Sequence, residues 1–302
     1  MNYYNEIKNK LIDNEIYAKI KDYSKESHKI KTYFEIGKLL YQAGSEYGED
    51  IIGRYSKMLM NEVGKRYDKS TLFRIRKFYL IFSDEKVVPL VPQLNWSQCL
   101  ILLPLKDINK INYYIKQITI RNLSKRELQQ IIKNNEYERL PEETKSKLIK
   151  NQNENLMDLV KNPITIKNPK NMEILKEKAL QKLILEDIPS FFKELGTGFS
   201  FIQNEYKIKL GNRYNYIDLL LFNYEYNCFV VVELKITELK KEHIGQIQVY
   251  MNYIDNNLKK INQNKTIGII ICKKDNKYVI EYCSDNRIIS REYKIVWIKS
   301  FN

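Results

Sequence analysis

The sequence predicts an α+β protein, with an all-helical or winged-helix-like front half followed by a back half built on a mixed sheet. Three observations carry that prediction. Apolar residues recur at helical spacing from Tyr3 to about Ile81, and further helical stretches continue to about residue 135. Beyond residue 199 the pattern changes to short runs rich in β-branched and aromatic residues, among them YIDLLLF, CFVVVELKI and TIGIIIC. One long helical stretch, about Lys240 to Lys259, lies between the third and fourth of these regions. That is the crossover a parallel strand pair requires.

The front elements follow in order. TYFEIGKLLYQAG (32–44) places Phe34, Ile36, Leu39, Leu40 and Ala43 near one face, with Gly44 as a stop. IIGRYSKMLMNEVG (51–64) repeats the plan with Ile51, Tyr55, Leu59 and Val63. After KRYDKS, the stretch TLFRIRKFYLIF (71–82) begins behind Asp68 or Ser70, either a suitable N-cap. Helix, turn, helix is the grammar of a DNA-reading motif. Arg74, Arg76 and Lys77 lie on the second helix, with Lys65, Arg66 and Lys69 on its approach. A solvated basic face on an ordinary helix fits the same pattern equally well. Helices are also expected near 95–103, 106–119 and 124–135, the last opened by the capping box Ser124 to Glu127.

The composition then shifts. Pro141, Pro163 and Pro169 stand among many Asn and Lys residues, and a linker is expected near 155–170. Two domains follow from this, a helical DNA-binding one over 1–155 and a second over 165–302. The second opens with a helix over 172–195, bent near Pro189 and ended by Gly196 and Gly198. Strands are expected at 199–210, 216–222, 228–236, 266–272, 278–283 and 293–298.

Bulk composition narrows the chemistry. The 302 residues carry 51 Lys+Arg against 37 Asp+Glu, a net charge of +14. Residues 1–150 hold 28 basic and 19 acidic residues, which leaves 23 and 18 for the rest, so both halves are basic. A folded basic protein suits a polyanionic partner. An AT-rich genome's bias toward Lys, Asn, Ile and Tyr produces a similar composition. The four cysteines, at 99, 228, 272 and 283, form no C-x-x-C pair, so neither a disulfide framework nor a zinc knuckle is expected. With His28 and His243 as the two histidines, any bound metal is expected to take oxygen ligands, as Mg²⁺ does. No apolar run approaches the ~20 residues of a membrane span, and Met1 to Lys31 lacks a signal-peptide apolar core. The expectation is therefore no membrane partner and a cytoplasmic address.

The chemistry concentrates where CFVVV runs into Glu233, Leu234 and Lys235. Side chains alternate along a strand, so Glu233 and Lys235 share a face with Leu234 opposite. Charge at the end of so apolar a strand is costly unless paired or metal-bound. Asp218 lies on the preceding strand, and a hairpin brings its carboxylate beside Glu233. Asp218, Glu233 and the Leu234 carbonyl are then candidate oxygen donors to Mg²⁺, with Mn²⁺ as a substitute, while Lys235 positions water or offsets charge on a phosphate. A surface Glu233–Lys235 ion pair, worth ~0–1 kcal/mol, is the plainer reading of the same triplet. Gln246 and Tyr250 share a helix face that can reach the site, with Tyr250 contacting phosphate or packing in the core. Glu177 is a further candidate acid, or simply a helix partner of Lys178 or Gln181. His243, on the crossover helix, reads as a surface residue.

Asp218, Glu233-Leu234-Lys235 and Gln246-x-x-x-Tyr250 resemble the PD-(D/E)xK nuclease superfamily, including the QxxxY feature of its RecB-like members. FFKELGTGFSFI, YIDLLLFNYEYNCFVVVELK, GQIQVYMNYID and TIGIIIC look like the C-terminal domain of the YhcG (DUF1016) family. TYFEIGKLL, MNEVGKRYDKSTLFRIRKFY, LNWSQCLILL and 121–131 look like that family's N-terminal winged-helix-like domain. The resemblance covers nearly everything except the 140–172 segment. It implies a restriction-endonuclease-like fold and an endonuclease with a DNA-binding front module. It also aligns Glu177 with the superfamily's first-helix glutamate, and leaves room for a homodimer and for a restriction-modification or mobile-element partner protein. One departure stands out. The family's Gly-Arg-Gln in the first strand reads Gln203-Asn204-Glu205 here. A non-catalytic DNA-binding accessory subunit of a restriction, defence or mobile-element system is the rival expectation.

Overall fold

The apolar stripes of the front half become helices: α1 (Tyr3–Ala18), α2 (Lys25–Tyr47), α3 (Asp50–Glu62), α4 (Lys69–Phe82), α5 (Trp96–Leu102), α6 (Ile108–Arg121) and α7 (Lys125–Lys133). The structure, a computed structural model, describes residues 3–19, 25–48, 50–84, 93–150, 152, 155–169, 172–174, 176–283 and 285–297. It divides into two units, Met1–Tyr137 and Glu138–Asn302. Among the described residues of the first unit no strand occurs, so of the two expected forms the all-helical one is what these residues display.

Local chemistry explains where these helices start and stop. The Asp68 carboxylate accepts the Thr71 N–H at 2.7 Å and caps α4, so Ser70 sits inside the first turn. The Ser124–Glu127 capping box opens α7. Gly44 does not end α2. It is buried within the helix, which runs on to Tyr47 and stops before Gly48, whose φ is +80°. Gly37 lets α2 and α4 cross closely: a Cβ there would lie 2.5 Å from the Ile75 carbonyl oxygen and 2.6 Å from Tyr79 Cβ.

In the second unit the expected linker is built structure. Helix α8 (Glu142–Ile149) and a 3-10 turn (Leu156–Leu159) lead into β1 (Ile164–Lys167). Thr144 Oγ1 donates to the Asp158 carbonyl at 2.8 Å, and Arg139 forks onto Glu194 and donates to the Pro163 carbonyl. These bonds tie the segment to its own unit. The helix expected over 172–195 is two, α9 (Glu177–Glu186) and α10 (Ile188–Leu195), broken at Asp187, with Pro189 in the first turn of α10. Proline suits that position because its missing N–H has no helical partner there.

Strands β2 (Phe199–Leu210), β3 (Arg213–Asn223) and β4 (Cys228–Glu238) precede α11 (Lys241–Asn257), β5 (Asn264–Lys274), α12 (Lys277–Glu281) and β6 (Ile288–Val296). The sheet order is β1-β6-β5-β4-β3-β2, antiparallel between β2, β3 and β4 and parallel through β5, β6 and β1. The strand expected at 278–283 is instead α12. Val279, Ile280 and Cys283 pack on one core while Tyr278 and Tyr282 are exposed, a helical rather than alternating arrangement. The last strand starts at Ile288, earlier than expected, and position 298 lies outside the described residues.

Two apolar layers enclose the sheet. One joins Leu180, Leu183 and Phe191 of α9 and α10 to Leu219, Val230, Val232 and Leu234. The other joins Ile247, Met251 and Ile254 of α11 to Ile208, Ile217, Val231 and Ile270. Gly268 admits α11 closely, since a Cβ there would lie 2.6 Å from Met251 Sδ.

Candidate active site

The site begins where β3 and β4 part. Their ladder runs from Asn223↔Cys228 to Leu219↔Val232, and beyond it a side chain takes over from backbone. The Leu234 N–H donates to Asp218 Oδ2 at 2.8 Å, and the Asp218 N–H approaches Glu233 Oε1 at 3.4 Å. β4 meanwhile stays paired to β5 through Glu233↔Ile270 and Leu234↔Ile271. The two acids are thus held by a sheet anchored on one side and open on the other. The Gln181 amide of α9 donates to the Asp218 carbonyl at 2.9 Å and fixes that strand end from the helix layer.

Lys235 closes the constellation. Its Nζ lies 3.2 Å from Glu233 Oε2 and 3.7 Å from Glu177 Oε1, and Glu177 is the first residue of α9. Glu233 is 1% exposed and Lys235 7%. The surface ion pair that the triplet alone allows is therefore not what forms. Asp218, Glu233, Lys235 and Glu177 are brought together. Gln246 Nε2 donates to the Tyr250 hydroxyl at 3.0 Å, and Tyr250 is buried against the α11 layer.

The electrostatics follow from burial. Loss of water and then the neighbouring Asp218 charge push Glu233 up to about 8, against the pull of Lys235. Burial likewise raises Asp218, partly offset by the Leu234 N–H and Lys235. Burial pulls Lys235 down, but Glu233, Glu177 and Asp218 outweigh it, so its ammonium is held above the ordinary lysine range. At neutral pH the corner therefore holds a proton on its carboxylates beside a charged lysine. A carboxylate pair whose mutual repulsion is only partly offset by Lys235 favours a further cation. Among the described residues no group of three or more His, Cys, Asp and Glu side chains is arranged to hold a metal. A pair of carboxylates instead suits a hard ion that keeps several of its waters.

Three residues near the site escaped sequence reasoning or were discounted by it. Gln181 lies four residues after Glu177, a spacing that does place them on one helix face. Glu205, in β2, ion-pairs with Lys178 at 3.2 Å and its charge raises Asp218. Its φ of +47° is rare for a side-chain-bearing residue, and no sequence signal announces it. His243 is half-buried, not on the open surface. Its Nδ1 accepts the Lys240 N–H at 3.1 Å, and burial with the Lys235 charge lowers it below the usual histidine range.

The basic residues lie apart in the chain, on and before α4. Lys65, Lys69, Arg74 and Lys77 are exposed. Arg66 ion-pairs with Glu15 and lies over the Tyr67 ring at 5.3 Å. Lys69 Nζ and Arg76 Cζ sit 5.8 and 5.2 Å from the Phe73 ring centroid.

An acid on one strand, Glu-x-Lys on its antiparallel neighbour and a helix glutamate reaching the same lysine define a nuclease fold of the PD-(D/E)xK type. The chain belongs to the YhcG/DUF1016 family. The family model described as the YhcG PDDEXK nuclease domain matches residues 157–299, and the DUF1016 N-terminal domain model matches residues 12–139. A curated relative, the Escherichia coli (strain K12) protein named "Putative nuclease YhcG", is 23% identical over 310 residues, covering 87% of this chain and 82% of the relative. Among solved structures, a repair endonuclease from Pyrococcus abyssi overlaps 42% of this chain and 49% of its own, at 18% identity and a TM-score of 0.29. An EndoMS–dsDNA2 complex overlaps 43% and 48%, at 17% identity and a TM-score of 0.29. The chain thus spans about half the length of these solved chains. No described helix is long and apolar enough to cross a membrane.

Proposed function

We propose that this chain is a divalent-metal-dependent DNA endonuclease, with Asp218, Glu233 and Lys235 as its catalytic set. The observation that carries the reading is their convergence at the strand fork, with Glu233 and Lys235 buried and paired, and Asp218 half-buried beside them and tied in through the Leu234 N–H and its own N–H. The excess of 51 Lys+Arg over 37 Asp+Glu supports a polyanionic substrate. The exposed cations of α4 make the front domain the candidate DNA-binding module, in the manner of a helix presented to a groove.

Asp218 and Glu233 would hold Mg²⁺, or Mn²⁺ in its place, together with the Leu234 carbonyl. N–H and C=O of one strand residue point to the same side, and the Leu234 N–H faces Asp218. When bound, such an ion supplies charge stabilisation on a phosphoryl oxygen and a more acidic water. The chain's own groups do the rest. Lys235, charged at neutral pH, orients the attacking water and offsets charge building on the pentacoordinate phosphate. Glu177 holds that ammonium in place. Gln246, which donates to the Tyr250 hydroxyl, would face the site from α11, where the Glu233 and Lys235 charges act on Tyr250.

Incubating supercoiled plasmid and branched duplexes with purified protein and Mg²⁺ or Mn²⁺ tests the reading. Nicking by the native chain and none by Asp218→Ala is expected. Equal nicking by both, or none on any DNA, rejects it. The negative Glu205 beside Asp218 favours a second reading, a non-catalytic DNA-binding subunit. In the same assay that subunit binds tightly and salt-sensitively but never cuts.

A further inference from the structure

The β2–β3 hairpin carries a surface that the catalytic set does not use. β2 is an edge strand, and its outer half pairs with β3 in the register Lys207↔Tyr216 and Lys209↔Tyr214. Ile208 and Ile217 are buried in the α11 layer. Side chains alternate, so Lys207, Lys209, Tyr214 and Tyr216 project from the other surface. The ion pair of Glu205 with Lys178 marks the same surface, since Lys178 belongs to α9, which packs on the sheet face opposite Ile208 and Ile217. Tyr214 is 56% exposed and Tyr216 52%. The Lys207 ammonium sits 3.8 Å from the Tyr214 ring centroid. Strand propensity accounts for tyrosines here, but not for two open rings set side by side with two lysines and leading to the site.

We propose that this surface holds an unpaired DNA strand running to Asp218, a proposal that rests on the nuclease reading above. Tyr214 and Tyr216 are alternate residues of β3, roughly 7 Å apart, and the same strand continues from them to Asp218. Stacked bases in a duplex strand rise only about 3.4 Å per nucleotide. A row of that wider spacing suits bases drawn apart, each laid on a ring, and not an intact stack. Rings take any base by its face, and lysines between them take the phosphates. Exposed Arg213, at the hairpin end of β3, extends the positive charge beyond Lys209. The substrate class is then DNA with a single-stranded segment, such as a flap, a bubble or a frayed end, and not a continuous duplex. A second copy pairing on the β2 edge is the competing occupant.

The test uses the full chain in EDTA, so that cutting does not interfere, with a labelled single-stranded oligonucleotide and a blunt duplex followed by fluorescence anisotropy. Tyr214→Ala with Tyr216→Ala is expected to weaken single-strand binding about tenfold or more and to leave duplex binding within about twofold. Tyr214→Phe with Tyr216→Phe keeps the native affinity, because stacking needs the ring and not the hydroxyl. Lys207→Ala with Lys209→Ala lowers the salt slope of single-strand binding by about 1.4, or ~0.7 for each phosphate no longer neutralised. Unchanged single-strand binding in the alanine pair overturns the proposal. So does an equal loss for both DNAs, or a dimer that dissociates with no change in DNA affinity. If Asp218→Ala abolishes cutting while the tyrosines prove indifferent, the surface is refuted and the nuclease reading survives. If the tyrosines bind the single strand and no DNA is cut, the surface survives and the nuclease reading fails.

Discussion

The acidic corner of the sheet and the basic face of α4 differ in what their charges touch. Glu233 and Lys235 are buried, and each bonds to a named neighbour in a fixed frame. Lys65, Arg74 and Lys77 stand in water. A buried charge persists only where its surroundings demand it, because desolvation costs several kcal/mol per ion. An exposed lysine costs almost nothing and carries little information. The contrast teaches which inferences a sequence supports: a charge that interrupts an apolar strand is a statement about chemistry, while a charge on a helix face awaits a ligand to give it meaning.

Neutralising any one charge of the acidic corner should do the most damage. Asp218→Asn, Glu233→Gln and Lys235→Ala are each expected to lower plasmid nicking by about 10²-fold or more, the scale of losing one preorganised charge at a phosphoryl centre. Lys235→Arg separates charge from position, since a guanidinium keeps the charge but not the compact ammonium. Little rescue is expected. Full activity in Lys235→Arg would reduce Lys235 to a generic cation.

The next effect is one of packing and asks whether the two units are separate bodies. Gly37→Ala must push apart α2 and α4, while Gly268→Ala displaces the side-chain ends of Met251 and Ile247. Gly37→Ala is expected to cost about 1–3 kcal/mol by overpacking, and Gly268→Ala less, because flexible side chains can give. In scanning calorimetry, Gly37→Ala should lower one transition and Gly268→Ala the other. A single transition that shifts equally in both variants would mean that the units melt as one.

The acidic corner also makes a prediction in pH. Glu233 rises from the ordinary carboxyl range in the unfolded chain to about 8 in the fold. Between roughly pH 4.5 and 8 the folded state therefore binds more protons than the unfolded one. Stability from this group is full below the unfolded value and is lost as pH climbs through about 8. In EDTA, Glu233→Gln should gain melting temperature relative to native chain as pH goes from 5 to 9. The same proton competes with a cation, so stabilisation of the native chain by Mn²⁺ should grow over that range. A melting-temperature difference flat in pH would place the proton elsewhere.

These contrasts also explain what was legible in the sequence. The Asp218–Glu233–Lys235 corner was, because period-two alternation and the cost of burying charge point the same way. Helices α2, α3, α4 and α6 were, because their stripes are long, and α7 was, because a capping box opens it. β1 was not: four residues, with Ile164 and Ile166 buried in alternation, vanish among prolines and asparagines. α12 was misread because YVIEYC is apolar enough for a strand and too short to show its period. Glu205 stood out only as a departure from the family's strand motif; its place beside Asp218 depends on cross-strand register and on a left-handed backbone, neither of which a one-dimensional pattern encodes.

The smallest expected effect tests the open side of the comparison. Arg74→Ala and Lys77→Ala remove exposed charges from α4, of which Arg74 acts weakly on the exposed Asp68 cap, so melting should stay within about 0.5 kcal/mol of native. If α4 faces a duplex, each change should weaken binding several-fold at low salt, uniformly across sequences, and reduce the salt slope by about 1. Arg76 should behave differently, because its guanidinium also lies against Phe73 and its loss removes packing as well as charge. A binding slope unmoved by Arg74→Ala and Lys77→Ala, with nicking intact, would leave α4 as a solvated helix face. DNA capture would then fall to the second unit, where Lys207 and Lys209 flank the path to Asp218.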